Sequence, residues 1–498
     1  MSQELLNSDE SPSLSRALGK WSAMAMMVGA VIGSGIFAKP AANAAASDSV
    51  TLIMIGWLTG GVITLITAIC IAELSLMMPK AGGTYVYIRQ AYGRLPAFLS
   101  GWNESIFFNS TANSALAVYF TITLGGVLEV EFSTIEIIAI VLGLQATLTT
   151  INCLGVIWGG VIQNITTIVK VTVLLGIAFL PFVAGISDTD TFSLSNLITA
   201  KESTGPSHSV VQMFTAVMLS VMWAYSGGWM VTSVAEEIKE PEKNLSFALI
   251  GGAIVLMVIY IAVNIAFHGV FALDEMVAIK EDPLRDIPQE AVSTYLSPFS
   301  QHLAEFGNKL ISAVILVSAL SALNTGLLTP PRVLFAMARD RMFIPSFAKV
   351  HTKTKAPFVA IIGQGITSMS VFLIVTCLVL FAGLGADGND SNRNLNTAGD
   401  IFDQLTNIAV FSATMFIFMT LGAVFILRKL EPDTSRPYRV PGYPVLPAIA
   451  LVMNAIFLAL IAFDDLQVSA ISIAFLVLSI PIYYLFNENT EEGKTDLN

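Results

Sequence analysis

Apolar residues along this chain come in runs of about twenty or more, almost free of charge and separated by short polar stretches. A run of that length crosses the ~30 Å hydrocarbon core of a bilayer as an α-helix. The pattern predicts twelve such spans, over residues 20–46, 51–78, 96–124, 133–152, 153–185, 208–236, 246–271, 306–338, 357–381, 400–427, 445–463 and 468–487. The fold expected is therefore an all-α integral membrane protein. Residues 1–19 are polar, carry Glu4, Asp9 and Glu10, and contain no apolar run, so no cleaved signal peptide is expected and the tail is placed in the cytoplasm.

Charge in the connections sets the expected orientation. With the N-terminus inside, the loops 79–95, 237–245, 339–356 and 428–444 face the cytoplasm and hold fourteen Lys and Arg. The outer loops 47–50, 125–132, 186–207, 272–305, 382–399 and 464–467 hold four, namely Lys201, Lys280, Arg285 and Arg393. That bias is the positive-inside signature. The outer loops also carry seventeen acids, among them Asp274, Glu275, Glu281, Asp282 and Asp286, which read as a solvated acidic face.

Two spans do not read as ordinary helices. The first contains Gly29-Ala-Val-Ile-Gly-Ser-Gly-Ile-Phe37, a glycine density that weakens a helix by about 1 kcal/mol per residue relative to alanine. The sixth contains Tyr225-Ser-Gly-Gly-Trp229 at a similar depth. An unwound turn at mid-membrane leaves backbone groups unpaired, which is tolerated only beside a cavity, a ligand or an ion. The breaks therefore point at a binding site. They also open two groups of five spans each, and since five is odd, the second group must enter the membrane from the opposite side. This predicts an inverted repeat suited to alternating access.

Composition narrows the class further. Only 12% of the 498 residues are charged and mean hydropathy is +0.73, which excludes a soluble enzyme, and the net charge of -11 argues against a nucleic-acid partner. Cys70, Cys153 and Cys377 are far apart and read as packing residues, with no metal-type spacing. The four His, His268 and His351 among them, form no metal cluster; with no Gly-x-Ser-x-Gly elbow and no ATPase motif, no enzyme, cofactor or metal is expected.

At this point the chain resembles the amino acid–polyamine–organocation transporters, in particular the L-type and related amino-acid exchangers. The resemblance extends from about residue 20 to 460 and rests on Gly33-Ser-Gly-Ile-Phe37, Pro79-Lys-Ala-Gly-Gly-Thr-Tyr85 with Ala91-Tyr-Gly93, Glu236-Glu-Ile-Lys-Glu-Pro241 with Asn244, Ala338-Arg-Asp340, and Arg436-Pro-Tyr-Arg-Val-Pro441. Tyr225, Gly227 and Tyr260-Ile-Ala-Val-Asn264 incline it toward the exchanger branch. It implies a LeuT-like five-plus-five inverted repeat: a tail of residues 1–19, a first repeat over 20–185, a second over 208–427, two extra helices over 445–487 and a cytoplasmic tail of 488–498. It also implies a multi-pass cell-membrane protein that carries amino acids without sodium, by exchange or proton coupling. A polyamine or cationic amino-acid antiporter and a transporter-fold sensor are the alternatives.

An amino-acid zwitterion needs donors for its carboxylate and acceptors for its ammonium. The half-helix starting near Ser34, Gly35 and Ile36 offers free N–H groups and the positive end of its dipole, with Gly33 and Gly35 leaving room for close approach. Helix packing through small residues is the alternative use of these glycines. Carbonyls released near Val31 and Ile32, and at Trp223, Ala224, Tyr225 and Ser226, can accept from the ammonium. The resemblance implies that Trp223 gates the substrate and that Asn109 contacts it; Trp229 and Asn324 are weaker candidates. Glu104 is expected to pair with a basic cytoplasmic residue. Where some relatives handling basic substrates carry an acid, this chain has Trp229, which favours neutral substrates. Lys170 lies too deep in the fifth span to snorkel out, and the resemblance implies that its ammonium occupies the sodium position at the first-span break, held by the Gly29–Ile32 carbonyls and by Ser318 or Ser321. Residues 125–132 contain no cysteine, so no disulfide-linked heavy-chain partner is expected.

Overall fold

The computed structural model describes residues 16, 18–153, 156–186, 191–198, 200, 209–281, 285–351, 356–382 and 397–495. Twelve segments within them are long and apolar enough to cross a bilayer, from Lys20–Ala46 to Leu466–Phe486. Much of the outer loops 186–207 and 382–399, with Lys201 and Arg393, lies outside the described residues.

Both interrupted spans are present. Half-helix 1a (Lys20–Val31) ends where Ile32 leaves helical geometry at φ -73°, ψ 84°, and half-helix 1b (Gly35–Ala46) begins three residues on. Half-helix 6a (Val210–Tyr225) starts in a reciprocal capping box between Ser209 and Gln212. It stops at Ser226 in extended geometry, and Gly227 follows at φ +94°, which only glycine adopts without strain. A 3-10 segment, 6b (Gly228–Glu237), continues the span.

Several boundaries differ from the hydropathy reading for local reasons. The seventh span starts at Pro241, which sits in the first turn where its missing N–H costs nothing. The third span (Arg94–Leu128) carries a π-helical turn at Asn103–Phe108. The eighth breaks between Gln301–Leu328 and Pro331–Arg339, since consecutive prolines at 330 and 331 cannot continue the hydrogen-bond ladder. The outer stretch 272–305, read as a loop, folds into helices Leu273–Glu281 and Ile287–Leu296, and the last helix runs on to Thr495.

Spans differ in how much they bury. In spans 1, 8 and 10 (Ile401–Leu430), 67% of the apolar window is buried, against 28% in spans 4, 11 and 12. Spans 1, 3, 6, 8 and 10 form the centre, and the others present Ile165, Ile168, Phe179, Ile456 and Leu478 outward, as a lipid-facing ring would. The breaks thus lie in the protein interior.

Candidate functional site

The two breaks touch. A Cβ built on Gly35 would overlap Ala224 of half-helix 6a, backbone included, so glycine is what lets 1b and 6a approach. Gly33 is less confined, a Cβ there meeting only the side chains of Leu116 at 3.1 Å and Ala322 at 3.2 Å. The Tyr260 hydroxyl of the seventh span lies 3.3 Å from the Val31 carbonyl and 3.2 Å from the Ala224 carbonyl, bridging both breaks. Trp223 Nε1 donates to Ser34 Oγ at 3.1 Å, a second tie between them.

These contacts correct the expected use of the released carbonyls, most of which already serve protein donors. Lys170 Nζ, fully buried, donates to Gly29 O at 3.2 Å and Ile32 O at 2.8 Å. The Ser318 hydroxyl is shared between Ile32 O at 3.1 Å and Gly33 O at 3.3 Å. Ser321 instead donates to Gln163 Oε1 and pairs with Thr166, so of the two span-eight hydroxyls only Ser318 serves the break. The Trp223 carbonyl accepts from Ser226 through both its N–H and its hydroxyl. The Val31 carbonyl accepts from the Gly33 N–H at 2.8 Å and faces Tyr260 as well, whereas the Ala224 carbonyl faces Tyr260 and keeps a lone pair.

The donors stand differently. The N–H groups of Ser34, Gly35 and Ile36 donate to no backbone acceptor among the described residues, as expected for the first turn of 1b. Ser34 and Gly35, though not Ile36, line a cavity of about 40 Å³, room for about three waters, bounded also by Val31, Gly33, Asn109, Trp223 and Ser226. No Asp, Glu, Lys or Arg lines it. Hydropathy had no means of singling out Phe108, Leu116, Met230, Ala322 and Thr325, which also line it. They are ordinary packing residues in sequence, and only the way spans 3, 6 and 8 surround the breaks brings them here.

Other candidates fall elsewhere. Ile32 and Ile36 are buried off the cavity wall, the Ile32 carbonyl holding Lys170 and Ser318, and Ala224 is packed against Gly35. The Tyr225 ring turns away from this cavity to pack on Trp57 and Tyr260, with centroids 5.9 and 5.0 Å away. Trp229 lies on a neighbouring cavity and packs on Phe108 at 5.5 Å. Asn109 Nδ2 donates to the Glu104 carbonyl across the π turn, and Asn324 accepts from Asn152 at 3.0 Å. Glu104 does not meet a basic residue. Its carboxylate accepts from the Thr84 hydroxyl, because the π turn aims it at the start of helix Thr84–Tyr92.

Contacts stand on two sides of the cavity. On one, Trp223 meets Phe402 edge-on at 6.4 Å, and Phe402 packs on Tyr119 at 5.5 Å, whose hydroxyl lies 3.2 Å from Asp286 Oδ2. On the other, Leu18 pairs with Glu237 and Lys239 through backbone bonds of 2.9 and 2.8 Å, and Arg332 holds Glu237 at 3.0 Å. The sequence motifs account for the rest of this face: Asp340 receives Tyr85 at 2.8 Å and Arg89 at 2.5 Å, while Glu73 receives Arg428 and stands 3.6 Å from Arg436. Burial pushes the Tyr85 phenol up, aided by the neighbouring Asp340 charge, so it stays a donor in this pair. Among the described residues no group of His, Cys, Asp and Glu is placed to hold a metal.

The chain is 31% identical over 480 residues to the serine/threonine exchanger SteT of Bacillus subtilis (strain 168), covering 95% of this chain and 98% of that protein. It is 27% identical over 486 residues to the large neutral amino acids transporter small subunit 2 of Mus musculus, covering 95% and 81%. It is 25% identical over 480 residues to the b(0,+)-type amino acid transporter 1 of Mus musculus, covering 95% and 88%. The sequence pattern of the amino acid permeases matches residues 18–486. With that pattern spanning nearly all of a twelve-span helical chain, the protein belongs to the amino acid permease family.

Proposed function

We propose that this permease exchanges neutral amino acids across a cell membrane by alternating access, independently of sodium. The observation that carries the reading is the uncharged cavity lined by Ser34 and Gly35, whose N–H groups have no backbone acceptor among the described residues. A carboxylate there meets the Ser34 and Gly35 donors and the positive end of 1b, and the Ala224 carbonyl keeps a lone pair for an ammonium. A substrate with a net charge would leave it uncompensated in a dry site.

Lys170 supports independence from sodium. Its ammonium already sits on the break carbonyls that a coupling cation would need, so a sodium ion there meets both a filled position and a like charge. Spans 1–5 and 6–10 act as the two inverted repeats, with spans 11 and 12 outside them. The N-terminus lies in the cytoplasm, the side to which the fourteen basic loop residues point. The relative named as a serine/threonine exchanger favours exchange and small neutral substrates.

Counterflow in proteoliposomes tests the reading. Vesicles loaded with unlabelled L-serine should accumulate external labelled L-serine with sodium replaced by choline. No accumulation under either cation, or accumulation only with sodium, would refute it.

A further inference from the structure

Close behind the zwitterion cavity lies a second one, also of about 40 Å³, lined by spans 1, 2, 6, 7, 10 and 11. Its wall is mainly apolar, with Ile71, Met222, Leu249, Val410 and Ile417 among its residues. Two buried polar groups on it, Thr67 Oγ1 and Asn454 Oδ1, have no hydrogen-bond partner. The two cavities share Ser226, which is only half-buried although it lies at mid-membrane. Between them stands the Trp229 indole. It lines the second cavity and packs its ring on Phe108, which lines the first.

A zwitterion held by the break uses most of the first cavity. The rest is hemmed in by Leu116 and Ala322, close enough that even a Cβ on Gly33 would touch both. Room remains for hydrogen, a methyl or a hydroxymethyl group on the substrate's α-carbon, and none for a branched or aromatic side chain. Such a side chain has one apolar direction in which to go, past Ser226 and Trp229.

We propose that the second cavity is a side-chain subsite for large neutral amino acids, and that Trp229 is the partition shutting them out of it. The unaltered protein thereby selects small neutral substrates. This rests on the amino-acid exchange proposed above and adds what sets its size limit. Removing the indole joins the two cavities. A leucine or phenylalanine side chain then exchanges water for Ile71, Val410 and Ile417, while Thr67 and Asn454 keep the pocket from favouring aliphatic chains alone.

The test is a preference ratio. Inhibition of labelled L-serine counterflow by L-alanine, L-leucine and L-phenylalanine is compared in wild type, Trp229→Ala and Trp229→Phe. In wild type, alanine should compete at least about tenfold better than leucine or phenylalanine, the discrimination a shape-limited apolar pocket supplies. In Trp229→Ala the leucine-to-alanine ratio should rise about tenfold or more, with Trp229→Phe between. Adding Ala413→Leu, which refills the second cavity, should return the ratio toward wild type. Wild type that prefers leucine or phenylalanine overturns the proposal without any variant. So does a ratio that is unchanged in whichever Trp229 variant folds. Failure of wild type to exchange any neutral amino acid refutes the functional reading instead, so the two failures are distinct.

Discussion

The Lys39 ammonium of half-helix 1b lies 2.8 Å from Asp403 Oδ1 at the outer end of span 10, and donates to Thr406 Oγ1 at 2.9 Å. Lys39 is 2% exposed and sits 4.6 Å from the Phe402 ring, directly over the Trp223 contact, so the pair ties 1b to span 10 above the cavity. Lys280, from an outer-loop helix, stands 4.0 Å from the second Asp403 oxygen. On the alternating-access reading proposed above, this pair must part for that side to open, so it biases the molecule toward closure there. Lys39→Met and Asp403→Asn should each raise outward-open occupancy about tenfold, since breaking such a pair leaves the other partner poorly compensated. A membrane-impermeant thiol reagent applied outside to Ser34→Cys should react correspondingly faster in each variant. The double variant should exceed the singles only slightly, because they remove one interaction.

Trp223 contributes both a ring and a donor. Trp223→Phe keeps the aromatic lid and loses the bond to Ser34 Oγ, a cost of about 1 kcal/mol, so serine counterflow should fall only severalfold. Trp223→Ala removes the lid and should reduce counterflow per correctly folded molecule by an order of magnitude or more. Equal rates in the two variants, measured on purified protein, would show that the ring does not close the cavity.

The two glycines flanking Ser34 should respond unequally. Gly35→Ala places a methyl into the Ala224 backbone, which cannot rotate away, so the half-helices must separate. A loss of about 3 kcal/mol or more of stability and loss of binding are expected. Gly33→Ala meets only side-chain methyls at 3.1 and 3.2 Å and should cost about 1 kcal/mol, with weakened substrate affinity. Thermal unfolding and equilibrium binding of both variants measure this order.

Lys170→Ala takes the ammonium off the Gly29 and Ile32 carbonyls while leaving Ser318 in place. Wild-type uptake should be the same in sodium and in choline. The variant should lose about tenfold or more of its exchange rate, because the break then holds unpaired buried carbonyls. Sodium-dependent uptake by wild type would show that the lysine does not hold the cation position.

Asp286 precedes the outer helix Ile287–Leu296 and faces the Tyr119 hydroxyl. Burial pushes its carboxyl up to about 7, more than the hydrogen bond from Tyr119 pulls it down. A carboxyl raised in the folded state is protonated in both states at low pH and costs stability as it ionises. The penalty therefore grows as pH rises from about 4, its unfolded value, and is complete above about 7. Asp286→Asn, which still offers Tyr119 an oxygen, should gain in melting temperature over wild type at pH 8 compared with pH 5. A difference independent of pH would place the Asp286 carboxyl in water.

The features legible in the linear chain were those set by local chemistry. Twelve spans follow from apolar runs whose backbone must close its own hydrogen bonds in lipid, and the breaks at Ile32–Ser34 and Ser226–Gly227 follow from glycines that cannot sustain a helix there. Lys170 was legible too, because a cation at that depth must find oxygen. Less local features were missed. The π turn at Asn103–Phe108 turned Glu104 toward Thr84, against the expectation of a basic partner, and apolar content hid the two outer-loop helices.

By itself, then, the sequence determined that this is a membrane-spanning helical protein with two mid-span breaks and a buried lysine. Tertiary structure alone decided what those breaks can bind. Hydropathy and propensity are properties of single segments, whereas a carbonyl's remaining lone pair depends on which neighbour reaches it first. Tyr260 bridges Val31 and Ala224, Ser318 joins Lys170 on Ile32, and Trp229 stands between two cavities because six spans converge there, and no single segment encodes that convergence.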